Sequence, residues 1–124
     1  KQNIICHMKV IDLFAGVGGL SQGFMMSGFE IEFAIEHDKG IAETYRKNHK
    51  KTLVYDDDIQ KLNIKKLKAK HKNIDVIVGG PPCQGFSQKG KRLSLDDERN
   101  YLFKYFIDFV KEFNKNKMCL FSYN

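Results

Sequence analysis

The chain has 124 residues, a net charge of +6, ten phenylalanines, five tyrosines and no tryptophan. That is one domain's worth of chain, able to bury roughly two thirds of its unfolded surface around a single core. No apolar run approaches the ~20 residues of a membrane span, no signal-peptide pattern opens the chain, and Cys6, Cys83 and Cys119 are too few and too scattered for a disulfide framework or a Cys-x-x-Cys metal knuckle. A reducing, intracellular setting follows.

Val10 to Phe14 reads as a first strand. Residues 12–19, Asp-Leu-Phe-Ala-Gly-Val-Gly-Gly, carry the chain from that strand into a helix over Leu20 to Ser27, with Gly28 as its left-handed stop. Glycines at 16, 18 and 19 let the backbone turn tightly and approach a ligand closely, and the helix start behind them offers free N–H groups. The dinucleotide pattern Gly-x-Gly-x-x-Gly fails, because Ser21 stands where the third glycine belongs. An adenosine ligand without a pyrophosphate is therefore favoured over a nicotinamide or flavin cofactor.

Phe29 to Ile35 reads as a second strand, closed by Glu36 twenty residues after Gly16. In nucleotide-binding folds an acid there accepts hydrogen bonds from ribose hydroxyls. Lys39 to Asn48 is predicted helical, with Ile41 and Tyr45 on one face. A short strand near Leu53 and Val54 is followed by Asp58, placed to accept from an exocyclic amine such as adenine N6, with Ile59 packing on the ring. Taken singly, each acid reads as a cap or a solvated residue. At the ends of successive strands they read together as the edge of a cofactor cleft.

A helix between Ile59 and Lys70 carries much of the block 61–72, which holds six lysines and no acid. That block equals the whole charge excess and reads as a solvated helix face, so charge permits a polyanionic partner without demonstrating one. Ile74 to Val78 is the strongest predicted strand. It leads into Gly-Gly-Pro-Pro-Cys-Gln-Gly-Phe-Ser over residues 79–87. Proline fixes its own φ and pushes the preceding residue to extended geometry, so Cys83 sits on a stiffened segment at a strand's carboxyl end. That edge is where open α/β sheets bind ligands. Cys83 reads as a nucleophile; a small buried hydrophobe is the alternative, and its polar loop argues against it. Gly79 to Asn100 is loop-like, with Lys89, Lys91, Arg92 and Arg99 against Asp96, Asp97 and Glu98. From Tyr101 to Asn114, Leu102, Phe103, Phe106, Ile107, Val110 and Phe113 recur at helical steps and read as core packing. Met118 to Phe121 begins a fifth strand. Cys6 and Cys119 read as space-filling, and His7, His49 and His71 as surface residues. The alternation βαβαβαβαβ argues an α/β fold with a parallel, doubly wound sheet.

With the glycine loop, Glu36, Asp58 and the Pro-Pro-Cys-Gln segment in this order, the chain resembles the amino-terminal portion of the catalytic domain of the DNA cytosine-5 methyltransferases. DLFAGVGGLSQGF is similar to that family's first motif and GGPPCQGFS to its catalytic fourth motif; the likeness runs from about Val10 to Phe113. The resemblance implies a Rossmann-like sheet of the S-adenosylmethionine-dependent methyltransferase type and S-adenosyl-L-methionine as methyl donor, released as S-adenosyl-L-homocysteine. It implies DNA methylation of the kind used in restriction–modification, with double-stranded DNA, or RNA, as the partner. No metal or membrane is implied, and the setting is intracellular: cytoplasm or nucleoid in a bacterium, nucleus in a eukaryote. Phe14, Gly16, Val17, Gly18 and Gly19 would line the cofactor, Glu36 would hold its ribose and His37 would stack on its adenine. Asp58 and Ile59 would receive the adenine edge, and Pro82 and Leu102 would close the pocket. Cys83 would be the nucleophile, and the segment from Gln84 to Arg99 would be the family's mobile loop, whose Gln84, Ser87, Lys89, Lys91, Arg92 and Arg99 would meet the nucleic acid.

The family also uses a glutamate in a Glu-Asn-Val motif at the end of the next strand. Here Met118-Cys119-Leu120-Phe121 runs into Ser122-Tyr123-Asn124, and Ser122 or its neighbour stands where that glutamate is expected. Serine cannot replace such a proton donor, and losing a general acid costs ~10²–10⁴ in rate. The later Arg-x-Arg segment and the target-recognition domain are also missing. The expectation is a single, truncated S-adenosylmethionine-binding and catalytic domain over 1–124, inactive alone, with a second chain as one source of the remaining motifs. Two other readings stand beside it: the branch of the family that methylates transfer RNA, and a catalytically dead S-adenosylmethionine-binding subunit of a split enzyme.

Overall fold

The computed structural model describes residues 8–81, 101–113 and 118–121. Five strands form one parallel sheet: β1 (Lys9–Leu13), β2 (Glu30–Ile35), β3 (Leu53–Tyr55), β4 (Val76–Gly79) and β5 (Met118–Phe121), in the order β3-β2-β1-β4-β5. Four helices alternate with them: α1 (Gly19–Met26), α2 (Lys39–Asn48), α3 (Ile64–Lys70) and α4 (Tyr101–Phe113). The expected doubly wound α/β sheet is what forms. The order reverses between β1 and β4, so their carboxyl ends open a crevice at the point where such sheets bind ligands.

Strand alternation sends side chains to both faces. Ile11, Leu13, Phe33, Ile35 and Ile77 pack on one face with Leu67 of α3 and with Phe106, Phe109 and Phe113 of α4. On the other face Val10, Ile31, Val76 and Val78 meet Phe24 and Phe29, while Ala34 and Val54 meet Ala42 and Tyr45 of α2. Full burial of each large side chain contributes roughly 1.5–3 kcal/mol. β1 and β2 slip register once: Val10 pairs with Ile31 and Ile11 with Phe33, leaving Glu32 as the extra residue.

Helix ends follow local chemistry. α1 stops at Gly28 (φ 96), where Phe29 N–H reaches Phe24 O (3.0 Å) and Gly28 N–H reaches Met25 O (3.0 Å). The Phe24 and Phe29 rings meet edge to face at 5.1 Å, the hydrophobic contact that accompanies this type of cap. α2 starts on Asp38, whose side chain accepts from Ile41 N–H (3.0 Å), and α3 on Asn63, which accepts from Lys66 N–H (3.1 Å).

Three expectations need correction. β4 spans Val76–Gly79 rather than 74–78: at Asp75 the carboxylate, not the backbone carbonyl, takes the Lys9 N–H (2.9 Å), and regular pairing with β1 begins at Val76. The buried stripe of α2 is Ala42 and Tyr45, continuing to His49, and Ile41 lies at its flank, 39% exposed. Neither His49 (3% exposed) nor His71 (5%) is a surface residue. His71 is buried with both ring nitrogens partnered, Nδ1 2.7 Å from Glu32 Oε2 and Nε2 2.8 Å from Tyr55 Oη, and its ring rests on Phe33. His7 lies outside the described residues.

Candidate functional site

Between β1 and α1 the backbone turns left-handed three times within five residues: Phe14 (φ 56), Gly16 (φ 60) and Gly18 (φ 98). Phe14 is the costly member, since a bulky side chain at positive φ is strained by about 1–3 kcal/mol. The surroundings hold it there. Ala15 N–H donates to Ile35 O (2.9 Å), Gly18 N–H to Ala15 O (3.2 Å) and Gly16 N–H to Glu36 Oε1 (3.0 Å).

Glu36 directly follows β2 and is 6% exposed. Its Oε2 accepts the Asp38 N–H (2.8 Å), so one carboxylate ties the glycine loop to the start of α2. A carboxylate offers about four acceptor positions, and the Gly16 and Asp38 amides occupy two of them. His37 is largely exposed, its Nδ1 3.3 Å from Glu36 Oε2. Asp58 caps a single 3-10 turn over Ile59–Lys61 by accepting the Gln60 N–H (2.9 Å).

Two hollows flank Phe14. One, of about 400 Å³, is lined by Phe14, Ile35, His37, Asp58, Ile59, Gln60 and Leu102. The other, of about 850 Å³, is lined by Asp12, Phe14, Ala15, Gly16, Val17, Gly19, Leu20 and Gly80. The fold thus gathers Phe14, His37, Asp58, Ile59 and Leu102 on one side and Gly16, Val17 and Gly19 on the other, with Glu36 anchoring the loop between. Gly18 lines neither hollow; a Cβ there would run into the His49 ring and Tyr45. Pro82, Cys83, Gln84, Ser87, Lys89, Lys91, Arg92 and Arg99 lie outside the described residues.

Asp12 carries the strongest electrostatic signal. It is 1% exposed, and its Oδ1 has no hydrogen-bond partner among the described residues. Burial pushes its carboxyl up to about 6 and the Glu36 charge adds to this, while hydrogen bonds from the Ser21 hydroxyl and amide pull it down. Ser21 Oγ donates to Asp12 Oδ2 (2.5 Å) and lies 2.7 Å from Tyr45 Oη. An acid whose folded pKa is raised stabilises fully only below its unfolded value and loses that contribution as pH rises through the folded one. Asp12→Asn should therefore remove a fall in stability between about pH 4 and pH 6, read as the urea midpoint against pH; a midpoint curve identical to that of the unaltered chain would contradict it.

The sequence reading missed Asp12, Ile35, Gln60, Leu20 and Gly80 as lining residues. It took Ser21 only as a lost glycine, although the hydroxyl satisfies a buried acid. The one available signal was the spacing of Ser21 from Asp12, a strand end followed by the first turn of a helix.

The lining suits one class of group. Phe14, Ile35, Ile59 and Leu102 give an apolar slot for a flat ring, and Asp58 offers an acceptor to an amine; Glu36 lines neither hollow but holds the loop between them. Among the described residues neither hollow is lined by lysine or arginine, so none of these lining residues neutralises a pyrophosphate. Asp12 places negative potential beside the second hollow. An uncharged or cationic nucleoside fits this donor and acceptor set, and so do the adenosine and sulfonium portions of S-adenosylmethionine.

Comparison with known proteins agrees with this chemistry. The model of the C-5 cytosine-specific DNA methylase family matches residues 8–120. The type II methyltransferase M.DdeI of Desulfomicrobium norvegicum is 47% identical over 107 residues, covering 86% of this chain and 26% of that protein. M.AgeI of Thalassovita gelatinovora is 42% identical over 110 residues, covering 86% of this chain and 25% of that protein. Among solved structures, a prophage-encoded E. coli protein described as a DNA modification methyltransferase superposes with a TM-score of 0.71 at 42% identity, covering 86% of this chain and 29% of that one. Spodoptera frugiperda DNMT2 superposes at 0.65 with 30% identity, covering 87% of this chain and 33% of that one. The chain therefore spans about a quarter of the length of these two curated relatives.

Proposed function

The chain belongs to the C-5 cytosine-specific DNA methylase family, and from that premise we propose that it is the part of a DNA cytosine-5 methyltransferase that holds S-adenosylmethionine and carries the nucleophile. The observation that supports this most is the apolar slot of Phe14, Ile59 and Leu102 with Asp58 in its lining, beside the glycine loop that follows β1.

In this reading Phe14, His37, Ile59 and Leu102 hold the adenine and Asp58 accepts from its amine. Glu36 accepts from the ribose while keeping the loop in shape. Gly16, Val17 and Gly19 shape the floor for the amino-acid end, and Pro82 closes the pocket. S-adenosylmethionine supplies a methyl group on a sulfonium when bound. Cytosine C5 is a poor nucleophile, and Cys83 overcomes this by adding its thiolate to C6, which moves the electron pair to C5. A free thiol, with a pKa of about 8.5, is ionised to a few per cent at pH 7, so the remaining machinery must favour the thiolate. The base has to leave the duplex first, at a cost of a few kcal/mol. Gln84, Ser87, Lys89, Lys91, Arg92 and Arg99 offset part of that cost through contacts to the nucleic acid. The site is intracellular, where its nucleic acid lies. No helix among the described residues is long and apolar enough to cross a membrane.

The 124 residues alone should transfer no methyl group, because Ser122 or its neighbour stands where the resemblance expects the family's glutamate. The test uses labelled methyl donor and cytosine-containing duplex DNA. The unextended chain should incorporate nothing. The chain joined to the remaining three quarters of the M.DdeI relative should incorporate label, and Cys83→Ser should abolish it. Incorporation by the unextended chain, or by the Cys83→Ser fusion, would overturn the corresponding half of the reading. Trapping of the fused chain on 5-fluorocytosine in DNA but not in RNA would separate this function from methylation of transfer RNA, and no trapping of it on either would point to a catalytically dead binding subunit.

A further inference from the structure

Resting on the reading of the glycine loop as a cofactor cradle, we propose that the last turn of α2 is a clasp that sets the loop's shape, with Tyr45, Asn48 and His49 as positioning residues for the methyl donor. None of the three lines either hollow. Each makes a polar contact with the loop or with the first turn of α1. Asn48 Nδ2 donates to Val17 O (2.8 Å), and His49 Nε2 lies 2.9 Å from Gly18 O. A carbonyl only accepts, so Nε2 carries the proton. Ser21 commits its hydroxyl proton to Asp12, so the Tyr45 hydroxyl is the donor in its 2.7 Å contact with Ser21 Oγ.

Holding two consecutive carbonyls fixes two peptide planes. In a trans peptide the N–H points opposite to the C=O. With Gly18 O held toward His49 and also accepting from Gln22 N–H (2.9 Å), the Gly19 N–H is aimed away from α2, and Gly19 lines the second hollow. The clasp also accounts for glycine at position 18: the His49 and Tyr45 rings, 4.6 Å apart, occupy the space a side chain would need. Loop conformation and ligand-facing amides thus depend on side chains that touch no ligand.

Asn48 is exposed, so Asn48→Ala removes one arm of the clasp without opening the core. Amide exchange at Val17 to Leu20 in the unligated chain, affinity for S-adenosylhomocysteine and the thermal midpoint are measured together. Exchange should rise and affinity should fall about threefold to tenfold, the worth of one hydrogen bond, with the Asn48→Ala midpoint unchanged. His49→Ala should do the same more strongly, and His49→Gln, whose amide nitrogen reaches the Nε2 position, should restore affinity to within about twofold. Unchanged exchange and affinity in Asn48→Ala and His49→Ala would overturn the clasp, as would a His49→Gln no better than His49→Ala. If the unaltered chain fails to bind S-adenosylhomocysteine, the cofactor reading falls, and loop exchange still decides whether the clasp exists.

Discussion

Glu36→Ala should weaken S-adenosylhomocysteine binding by about 10- to 150-fold and lower folding stability by about 2–6 kcal/mol. Both effects come from one carboxylate with two duties. In the folded chain it accepts the Gly16 and Asp38 amides at 3.0 and 2.8 Å. Removing it leaves two N–H groups on the turn without their acceptor, each at a cost of about 1–3 kcal/mol. The same deletion removes the ribose acceptor, and hydrogen bonds to charged groups are worth about 1.5–3 kcal/mol. The conservative change separates the two duties. Glu36→Gln keeps one oxygen to accept one amide but turns an NH₂ toward the other, so it should fall between the parent and the alanine variant. Titration calorimetry and urea unfolding read the two effects, and a loss of affinity below about threefold would remove Glu36 from the site.

Gly18→Ala should cost about 3 kcal/mol or more of stability, measured by denaturant unfolding. Two terms act together. The backbone sits at φ 98, where a side chain is strained, and an added methyl would strike the His49 ring and come within 2.9 Å of Tyr45 Cδ2. These rings are not free ends that swing aside: Tyr45 is fully buried and bonded to Ser21, and His49 is 3% exposed and bonded to Gly18 O. Gly16→Ala is the control. Its φ is 60, but nothing lies within 4 Å of the added atom, so only the backbone term of about 1 kcal/mol should remain. Equal losses in the two variants would show that crowding by His49 and Tyr45 plays no part.

The sheet was legible because its signals are local. Short β-branched runs at residues 10–14 and 74–78, and a helix with aromatic residues at three- and four-residue steps, follow from side-chain period alone. Glu36 and Asp58 could be placed because both fall at strand ends, and Leu102 because the family likeness reached the last helix. The misreadings came from contacts far apart in sequence. Nothing local says that His71 finds Glu32 across 39 residues and Tyr55 across 16, or that His49 finds Gly18 across 31. Lone polar residues at helix ends read as solvated until their partners are known. Ser21 was misjudged for a related reason: compared only with the glycine it replaced, it looked like a defect, whereas its hydroxyl joins a buried acid to a buried tyrosine. The slip of Glu32 between β1 and β2 had no local mark either, since Glu-Ile-Glu-Phe-Ala-Ile fits an unbroken strand equally well.

A structure of the 124-residue chain with bound S-adenosylhomocysteine tests the central claim most directly. The adenine should lie in contact with Phe14, Ile59 and Leu102, with a ribose hydroxyl within hydrogen-bond distance of Glu36. Ligand found instead in the lysine-lined groove of Lys65, Lys68 and Lys72 at the amino-terminal edge of the sheet, or absent at saturating concentration, would contradict it.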